Sequence, residues 1–468
     1  MPANLTLSSL KSAVKSGEID TVAVALVDMQ GRLMGKRFHA QHFLDSHEET
    51  HSCNYLLATD YEMSTVPGYA SASWEKGYGD YTMRPDLGTL RRLPWAPGTA
   101  LCMVDLLDHH THQPVPHAPR SILAGQVARA REMGFEPQMA TELEFFLFEE
   151  SYKQLFDTGY RPLTPSPRYN VDYAITETSE AETVLRALRN GLFAAGVPVE
   201  CSKGEAERGQ HEINARYSDA LDTADMHVLI KMATKEIARQ AGHSATFMAK
   251  YNHDKVGSSS HVHQSLFKGG KNAFADKTDP LGMSALMRSY VAGQLAHAGA
   301  ITLFLAPNIN SYKRFVTGTF APTRTVWSVD NRTAGFRLCG EGTNAVRIEC
   351  RIGGADLNPY LACAALLAAG LDGVEKQMEL GPPLTGDIYQ SANAPQIPRT
   401  LGDAAEAALA SDMLRDAFGE DVVTHYHRAA LWEIEEQNRV VSDWEVARGF
   451  ERASSAEMDA DTWLTRSS

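Results

Sequence analysis

The chain has 468 residues, 43% of them hydrophobic and 22% charged, with a formal net charge of −14 at neutral pH. That length suits about three domains of ordinary size, or one large catalytic domain with a small companion. The composition excludes a disordered chain, and the acidic balance argues against nucleic acid as the main partner, because phosphate backbones are held by clustered Lys and Arg.

In chain order, Met1 to Asp20 carries Lys11, Lys15, Glu18 and Asp20 and has no apolar core ahead of a small-residue cleavage site, so no secretory signal is expected. Thr21 to Asp28 has the pattern of a buried strand, Met29-Gln30-Gly31-Arg32 that of a turn, and Leu33 to Phe38 that of a second strand. Together they predict a hairpin opening a small β-rich domain. Between Asp60 and Leu101 the density of Gly, Pro, Tyr and Trp predicts loops and short strands. The stretch His109-His110-Thr111-His112-Gln113-Pro114-Val115-Pro116 reads as a domain boundary, and a polar, Pro-rich linker accounts for its histidines more simply than a metal site does.

Pro119 then opens a helix running to Met133 and stopped by Gly134. Beyond it, strands at Ala140 to Phe148, Gln210 to Arg216 and His261 to Phe267 alternate with helices at Ala181 to Ala195, Ala220 to Ala241, Met283 to Ala300 and Leu361 to Met378. The longest apolar run, Leu361 to Leu371, is about half of what crosses a bilayer, so no membrane partner and a cytoplasmic location are expected. The six cysteines, Cys53, Cys102, Cys201, Cys339, Cys350 and Cys363, are dispersed without a CxxC pair, as suits reduced thiols.

Five segments carry chemistry. In Thr141 to Phe148, Glu142 and Glu144 share one face of an apolar strand, where burial demands cations beside them; the alternative is an exposed strand end. Lys203 to Glu212 offers Glu205, Glu207 and Glu212 around glycines, either a solvated turn or a wrap for a hard divalent ion. After the flexible loop Gly257-Ser258-Ser259-Ser260, residues His261, His263 and Ser265 alternate onto one strand face. With carboxylates as companion ligands, Mg²⁺ or Mn²⁺ suits these histidines better than tetrahedral zinc. Asn310 to Arg314 and Asn331 to Arg337 add positive groups, among them Arg314, Arg332 and Arg337.

Finally, Arg347-Ile348-Glu349-Cys350-Arg351 puts three charges on one side of a strand and Ile348, Cys350 and Ile352 on the other, which is either a surface salt-bridge ladder or a site for anion and metal. Cations among carboxylates suggest phosphoryl transfer. No GxxxxGK[ST] segment is present, so the site is not a P-loop.

In this order and spacing, the five segments resemble the glutamine synthetase family over nearly the whole chain. The resemblance implies an α+β fold: a small β-grasp domain over residues 1–112, joined to a catalytic domain over 113–468 whose curved antiparallel sheet is flanked by helices. It implies one metal held by Glu144, Glu205 and Glu212 and a second by Glu142, His261 and Glu349. Arg314, Arg351 and the Gly257 backbone would hold glutamate, while Arg332, Arg337 and Arg347 face phosphates and Glu207, His263 and Ser265 line the ATP pocket. The partners implied are glutamate, ATP and a nitrogen nucleophile, in a homo-oligomer of two stacked hexameric rings whose sites are completed by a neighbour's Tyr61 to Trp74 region.

Two departures set the expected substrate. Where ammonia-using members carry a glutamate after the Asn-Ser-Tyr-Lys-Arg motif, this chain has Phe320, and Thr65-Val66-Pro67-Gly68-Tyr69 replaces the Asp-Gly-Ser-Ser motif. Losing both anionic walls favours a primary organic amine over ammonium, and hence a γ-glutamylamide product, with glutamine synthesis as the alternative. Glu62 and Asp60 are the candidate bases, and Tyr69 or Trp74 could pack an aromatic amine beside Phe320. A silent scaffold or nitrogen sensor has no physical need for six metal ligands, and a metal-dependent hydrolase has none for the arginines. Tyr389, near the place of a modified tyrosine in some bacterial members, reads as a surface residue.

Overall fold

The computed structural model describes residues 4–452, and its strands fall into two sheets. The first is built from β1 (Thr21–Val27), β2 (Leu33–His39), β3 (Thr50–Cys53), β4 (Asp80–Pro85), β5 (Arg91–Arg92) and β6 (Thr99–Asp108). Its order is β2-β1-β6-β4-β3, with β5 on β6. The predicted hairpin is present, Thr21 facing His39 through to Val27 facing Leu33, and β1 runs parallel to β6.

The second sheet collects β7 (Glu136–Phe148), β8 (Val199–Gly204), β9 (Gln210–Ala215), β10 (Ser218–Asp219), β11 (Ser244–Thr246), β12 (Ser260–Lys268), β13 (Lys271–Asn272), β14 (Trp327–Val329), β15 (Phe336–Cys339) and β16 (Arg347–Cys350). Its main path is β14-β15-β16-β12-β7-β9-β8, antiparallel except for β14 on β15. The mixed α+β class is as expected. Strands β8, β14 and β15 were not anticipated; they are short, and Glu200-Cys201-Ser202-Lys203 lacks an apolar alternation to announce a strand.

The sheet is backed by long helices. The apolar run at Leu361 is a core element, with every residue from Pro359 to Gly373 buried, and among the described residues no helix is long and apolar enough to cross a membrane. This helix starts at Pro359, two residues earlier than predicted, because the Asn358 side chain caps it by accepting from the Tyr360 N–H. It ends at Glu375, before Gln377 takes a left-handed φ of 49°. The neighbouring helix spans Ala285–Leu305, capped by Ser284 rather than opening at Met283. One continuous hydrophobic cluster runs from Leu10 and Val24 through Leu123 to Leu366 and Val423, so the small sheet and the helices share a core.

These two helices touch backbone to backbone. A β-carbon on Gly373 would overlap the Ser289 carbonyl oxygen, and one on Gly293 would overlap that of Ala369. Gly373→Ala gains up to about 1 kcal/mol of helix propensity but incurs an overpacking cost of about 1–3 kcal/mol against backbone that cannot move aside. We expect net destabilisation in thermal or urea unfolding. Gly299→Ala, on the same helix pair but facing open space, should instead be neutral or stabilising.

Candidate active site

Strand register assembles the site. Across the second sheet, Arg337 of β15 faces Glu349 of β16, which faces His263 of β12; one row along, His261 of β12 faces Glu142 of β7, which faces Asn214 of β9. In the next row, Glu144 faces Glu212, which faces Lys203 of β8. Since alternate residues share a face, these side chains crowd one surface while Ile348, Cys350 and Val262 fill the core behind.

Two acidic clusters result. Among the described residues, donor atoms of Glu142, His261 and Glu349 lie within 4.8 Å of one another, as do those of Glu144, Glu205 and Glu212. These are the two ligand sets implied by the sequence resemblance, and the histidines at 109–112 join neither cluster.

The first cluster is largely compensated. His261 Nδ1 lies 2.9 Å from Glu142 Oε2 and 3.3 Å from Glu349 Oε1, and His263 Nε2 is 2.8 Å from Glu142 Oε1. Glu349, fully buried, accepts from Arg351 at 2.6 Å and from Arg337 at 3.0 Å. Burial opposes the Glu142 charge, yet its bonds to His261 and His263 outweigh that and hold the carboxyl well below the usual range. Burial and the Arg351 charge push His261 down, leaving a neutral imidazole with a lone pair to offer. For His263, burial is outweighed by hydrogen bonds to Cys339 and Glu142 and by the charges of Glu142 and Glu349, which raise it to about 10.

The second cluster is short of positive charge. Burial and the Glu205 charge push Glu144 up to about 7, although its carboxylate accepts from the Ser259 N–H at 2.7 Å and from Gln210 Nε2 at 3.2 Å. Burial and the charges of Glu142, Glu205 and Glu144 push Glu212 up to about 9, against a 2.8 Å bond from Asn214. Lys203, bonded to Glu205 and 3.5 Å from Asp172, is the ammonium paired with this trio. Oxygen donors crowded at the expense of their own ionisation fit a hard divalent ion such as Mg²⁺ or Mn²⁺, and the neutral His261 completes a set of the same kind next door.

The other predicted residues surround these clusters. Arg347 Nε lies 3.2 Å from His263 Nδ1, Ser265 lies two residues along the same face, and the Arg332 side chain is exposed while its carbonyl accepts from Arg351 Nε at 3.1 Å. Glu207 faces the 250–257 loop, 3.5 Å from Lys255 Nζ and from the Val256 N–H. Arg314 is buried and donates to the carbonyls of Arg351, Ile352 and Gly353, with Nε lacking a partner; burial lowers it to about 10. Gly257 fits against it, since a β-carbon there would lie 2.5 Å from both Ala249 O and Arg314 Cγ. Phe320 is 57% exposed in a left-handed backbone (φ 58°), its carbonyl 3.5 Å from Arg351 NH2.

Three expectations need correction. Tyr69 is buried with one ring face stacked on His425 at 4.3 Å between centroids, so it is not an exposed platform for an amine. Asp60 is also buried, its two oxygens taken by the Ser64 N–H at 2.8 Å and Trp432 Nε1 at 3.1 Å, whereas Glu62 is exposed. Tyr389 is half-buried rather than a free surface group, its hydroxyl donating to Ala321 O at 2.9 Å. Sequence reasoning missed Lys203, Gln210 and Asn214 as partners. The alternation of Gln210, Glu212 and Asn214 was the available signal.

A register-built sheet face with two oxygen-rich clusters among arginines defines an enzyme suited to holding divalent ions beside an anionic substrate. Residues 116–449 match the family described as glutamine synthetase, catalytic domain, and the chain belongs to the glutamine synthetase family of ligases. It is 48% identical over 96% of both chains to gamma-glutamylethanolamide synthetase GlnA4 of Streptomyces coelicolor, and 34% identical to glutamate–isopropylamine ligase of a Pseudomonas species, over 94% of this chain and 96% of that one. The glutamine synthetase of Thermotoga maritima is 31% identical over 95% and 99%. Among solved structures, the GmaS/ADP complex superposes with a TM-score of 0.82 at 28% identity, covering 94% of this chain and 98% of that one.

The charge shortage around Glu212 gives a test. With chelator present, Glu212→Gln should melt at or above the parent, because it removes a carboxyl that burial and like charge disfavour. Added Mn²⁺ or Mg²⁺ should raise the parent's melting temperature by more than the variant's, which keeps only the Glu142, His261 and Glu349 set whole. A variant stabilised as much as the parent would show that Glu212 holds no metal.

Proposed function

We propose that this enzyme joins glutamate to a primary organic amine at the expense of ATP, making a γ-glutamylamide by way of γ-glutamyl phosphate. The observation that carries the choice of nucleophile is Phe320, an exposed aromatic ring in left-handed backbone, next to Arg351, where ammonia-using members carry a carboxylate. Such a backbone costs a residue with a β-carbon roughly 1–2 kcal/mol, a strain that tends to persist where a side chain is needed for function. The 48% identical ethanolamide synthetase and the isopropylamine ligase support this reading over ammonia.

In this scheme Glu144, Glu205 and Glu212 hold one divalent ion and Glu142, His261 and Glu349 another, as Mg²⁺ or Mn²⁺. When bound, such ions neutralise phosphate charge and orient the transferring group. Arg332, Arg337 and Arg347 balance the phosphates, and Glu207, His263 and Ser265 belong to the nucleotide side. Arg351 binds the glutamate carboxylate, while Arg314, through the 351–353 carbonyls, and Gly257 fix the floor beneath it. The γ-carboxylate oxygen attacks the terminal phosphorus of ATP, releasing ADP. The amine nitrogen then displaces phosphate, and its proton passes to Glu62 of a neighbouring copy, the carboxylate left available once Asp60 is bound to Trp432.

The chain is further proposed to divide at residues 112/113, to work in the cytoplasm, and to form two stacked hexameric rings. Exposed Tyr61 and Trp74 on the small-sheet loop support a neighbour's contact there. Dilution to monomers should therefore abolish turnover, checked by sedimentation and assay at matched concentrations.

The decisive assay is phosphate release with glutamate, ATP and a panel of amines including ethanolamine, isopropylamine and ammonia. At least one amine should exceed ammonia in kcat/KM by tenfold or more, and Phe320→Glu should shift that ratio toward ammonia by about tenfold or more. A parent that prefers ammonia to every amine overturns the proposal.

A further inference from the structure

Behind the loop that carries Phe320 lies an open cleft of about 350 Å³, lined by Tyr312, Thr317, Arg324, Tyr389, Gln396 and Arg399 among others. One wall is the chain from Tyr312 to Arg324 and the other the chain from Tyr389 to Arg399. A bridge between Arg324 and Gln396, with hydrogen bonds from Thr325 N to Pro395 O (2.9 Å) and from Ile397 N to Thr323 O (3.2 Å), ties them together. The lining holds two guanidinium groups and no carboxylate, the reverse of the acidic clusters described above.

Among the described residues neither arginine has an acidic partner. Arg324 gives one N–H to Ala394 O at 3.1 Å, Arg399 gives Nε to Gln396 at 2.9 Å, and Arg324 Nε and the Tyr312 hydroxyl have no partner. Carboxylates around the lining are engaged locally: Asp356, whose charge reaches Tyr312, accepts from Asn308 at 2.9 Å and Ser311 at 2.6 Å, Asp387 from the Tyr389 N–H at 3.0 Å and Asp403 from the Thr400 N–H at 3.1 Å. Two unpaired guanidiniums facing one concavity, in a chain of net charge −14, are the recognition chemistry of a phosphate group. The Tyr312, Phe315 and Tyr389 rings give that concavity an apolar wall on which an organic body can rest.

We propose that this cleft binds a phosphate group, free or carried on a small organic molecule, and that its occupancy stiffens the Phe320 loop. The mechanical link is short: the Tyr389 hydroxyl holds Ala321 O at 2.9 Å, and the neighbouring Phe320 carbonyl lies 3.5 Å from Arg351 NH2. Ligand held between the walls restrains the loop that bounds the proposed amine position, without touching the nucleotide side. Binding itself requires no amine, so it succeeds or fails independently of the assignment of the nucleophile, while the kinetic consequence rests on that assignment.

The test uses the full-length enzyme with saturating Mg²⁺, glutamate and a non-hydrolysable ATP analogue, so that all the active-site phosphate positions, including the terminal one, are filled. Inorganic phosphate and glucose 6-phosphate are titrated separately by calorimetry and thermal melting. At least one should bind at one site per chain and raise the melting temperature. Tighter binding of the ester assigns the rings a role, and equal binding assigns the site to free phosphate. Arg399→Gln and the double variant Arg324→Lys/Arg399→Gln should weaken binding tenfold or more while melting like the parent without probe and keeping its basal turnover. In the parent, saturating probe should change the amine KM at least twofold and leave the ATP KM unchanged. The proposal falls if neither probe binds, if both variants bind as the parent does, or if the ATP KM moves instead.

Discussion

Carboxylates on the interior face of a sheet must be compensated, and the placement of most other groups in this site follows from how that is done. An ionised carboxylate taken from water needs opposite charge or several hydrogen bonds to persist. Around Glu349 the protein supplies both, through Arg337, Arg351 and the two histidines. Around Glu144, Glu205 and Glu212 it supplies a single direct ammonium pair, on Lys203. The two halves of one sheet face are thus unequal by construction. The first is a nearly neutral ionic lattice that fixes its side chains in place, and the second is an electrostatic deficit that only a cation can close.

A lattice of that kind has value only on a backbone that does not shift. Register fixes each row to within a residue, and a slip of one would turn every ligand into the core. The two long helices behind the sheet pack on each other at glycine-sized distances. The Phe320 loop has no such backing, being held at its carbonyls by Arg351 and at Ala321 by Tyr389. Rigidity and adaptability are therefore divided between the metal-type donors, which all sit on strands except Glu205 in the turn after β8, and the position proposed to choose the nucleophile, which sits on a loop.

Much of this was legible in the chain. Period-two spacing announced Glu142 with Glu144, His261 with His263, and Glu349 between its arginines, and the helices predicted from Pro119, Ala181, Ala220, Met283 and Leu361 came out within about five residues of their ends, while the helix Glu420–Gln437 was not anticipated. The misses have three causes. Strands β8, β14 and β15 are short and owe their existence to neighbours already in the sheet, a tertiary effect that no local pattern records. Asp60 and Tyr69 were misplaced because their partners, Trp432 and His425, lie on the helix Glu420–Gln437, more than 350 residues along the chain. Nothing near residue 60 encodes that contact. Lys203 and Gln210 went unread because a single Lys or Gln is ordinary at any surface, and only the register shows it facing a carboxylate.

Asn358 joins the first hairpin to the core: besides capping its helix, its side chain donates to the carbonyls of Asp28 and Met29, 330 and 329 residues away, and the Gly31 turn packs so closely that a β-carbon there would lie 3.2 Å from the Asn358 Cα. During synthesis the hairpin emerges first, and its clamp appears only after the intervening chain has been made, at about 5–20 residues per second. For some tens of seconds those carbonyls and the apolar side of the hairpin have no native lid. This sheet is thus made well before the segment that seals it, and that interval on the ribosome exposes it to chaperones and to mispairing with a second nascent copy.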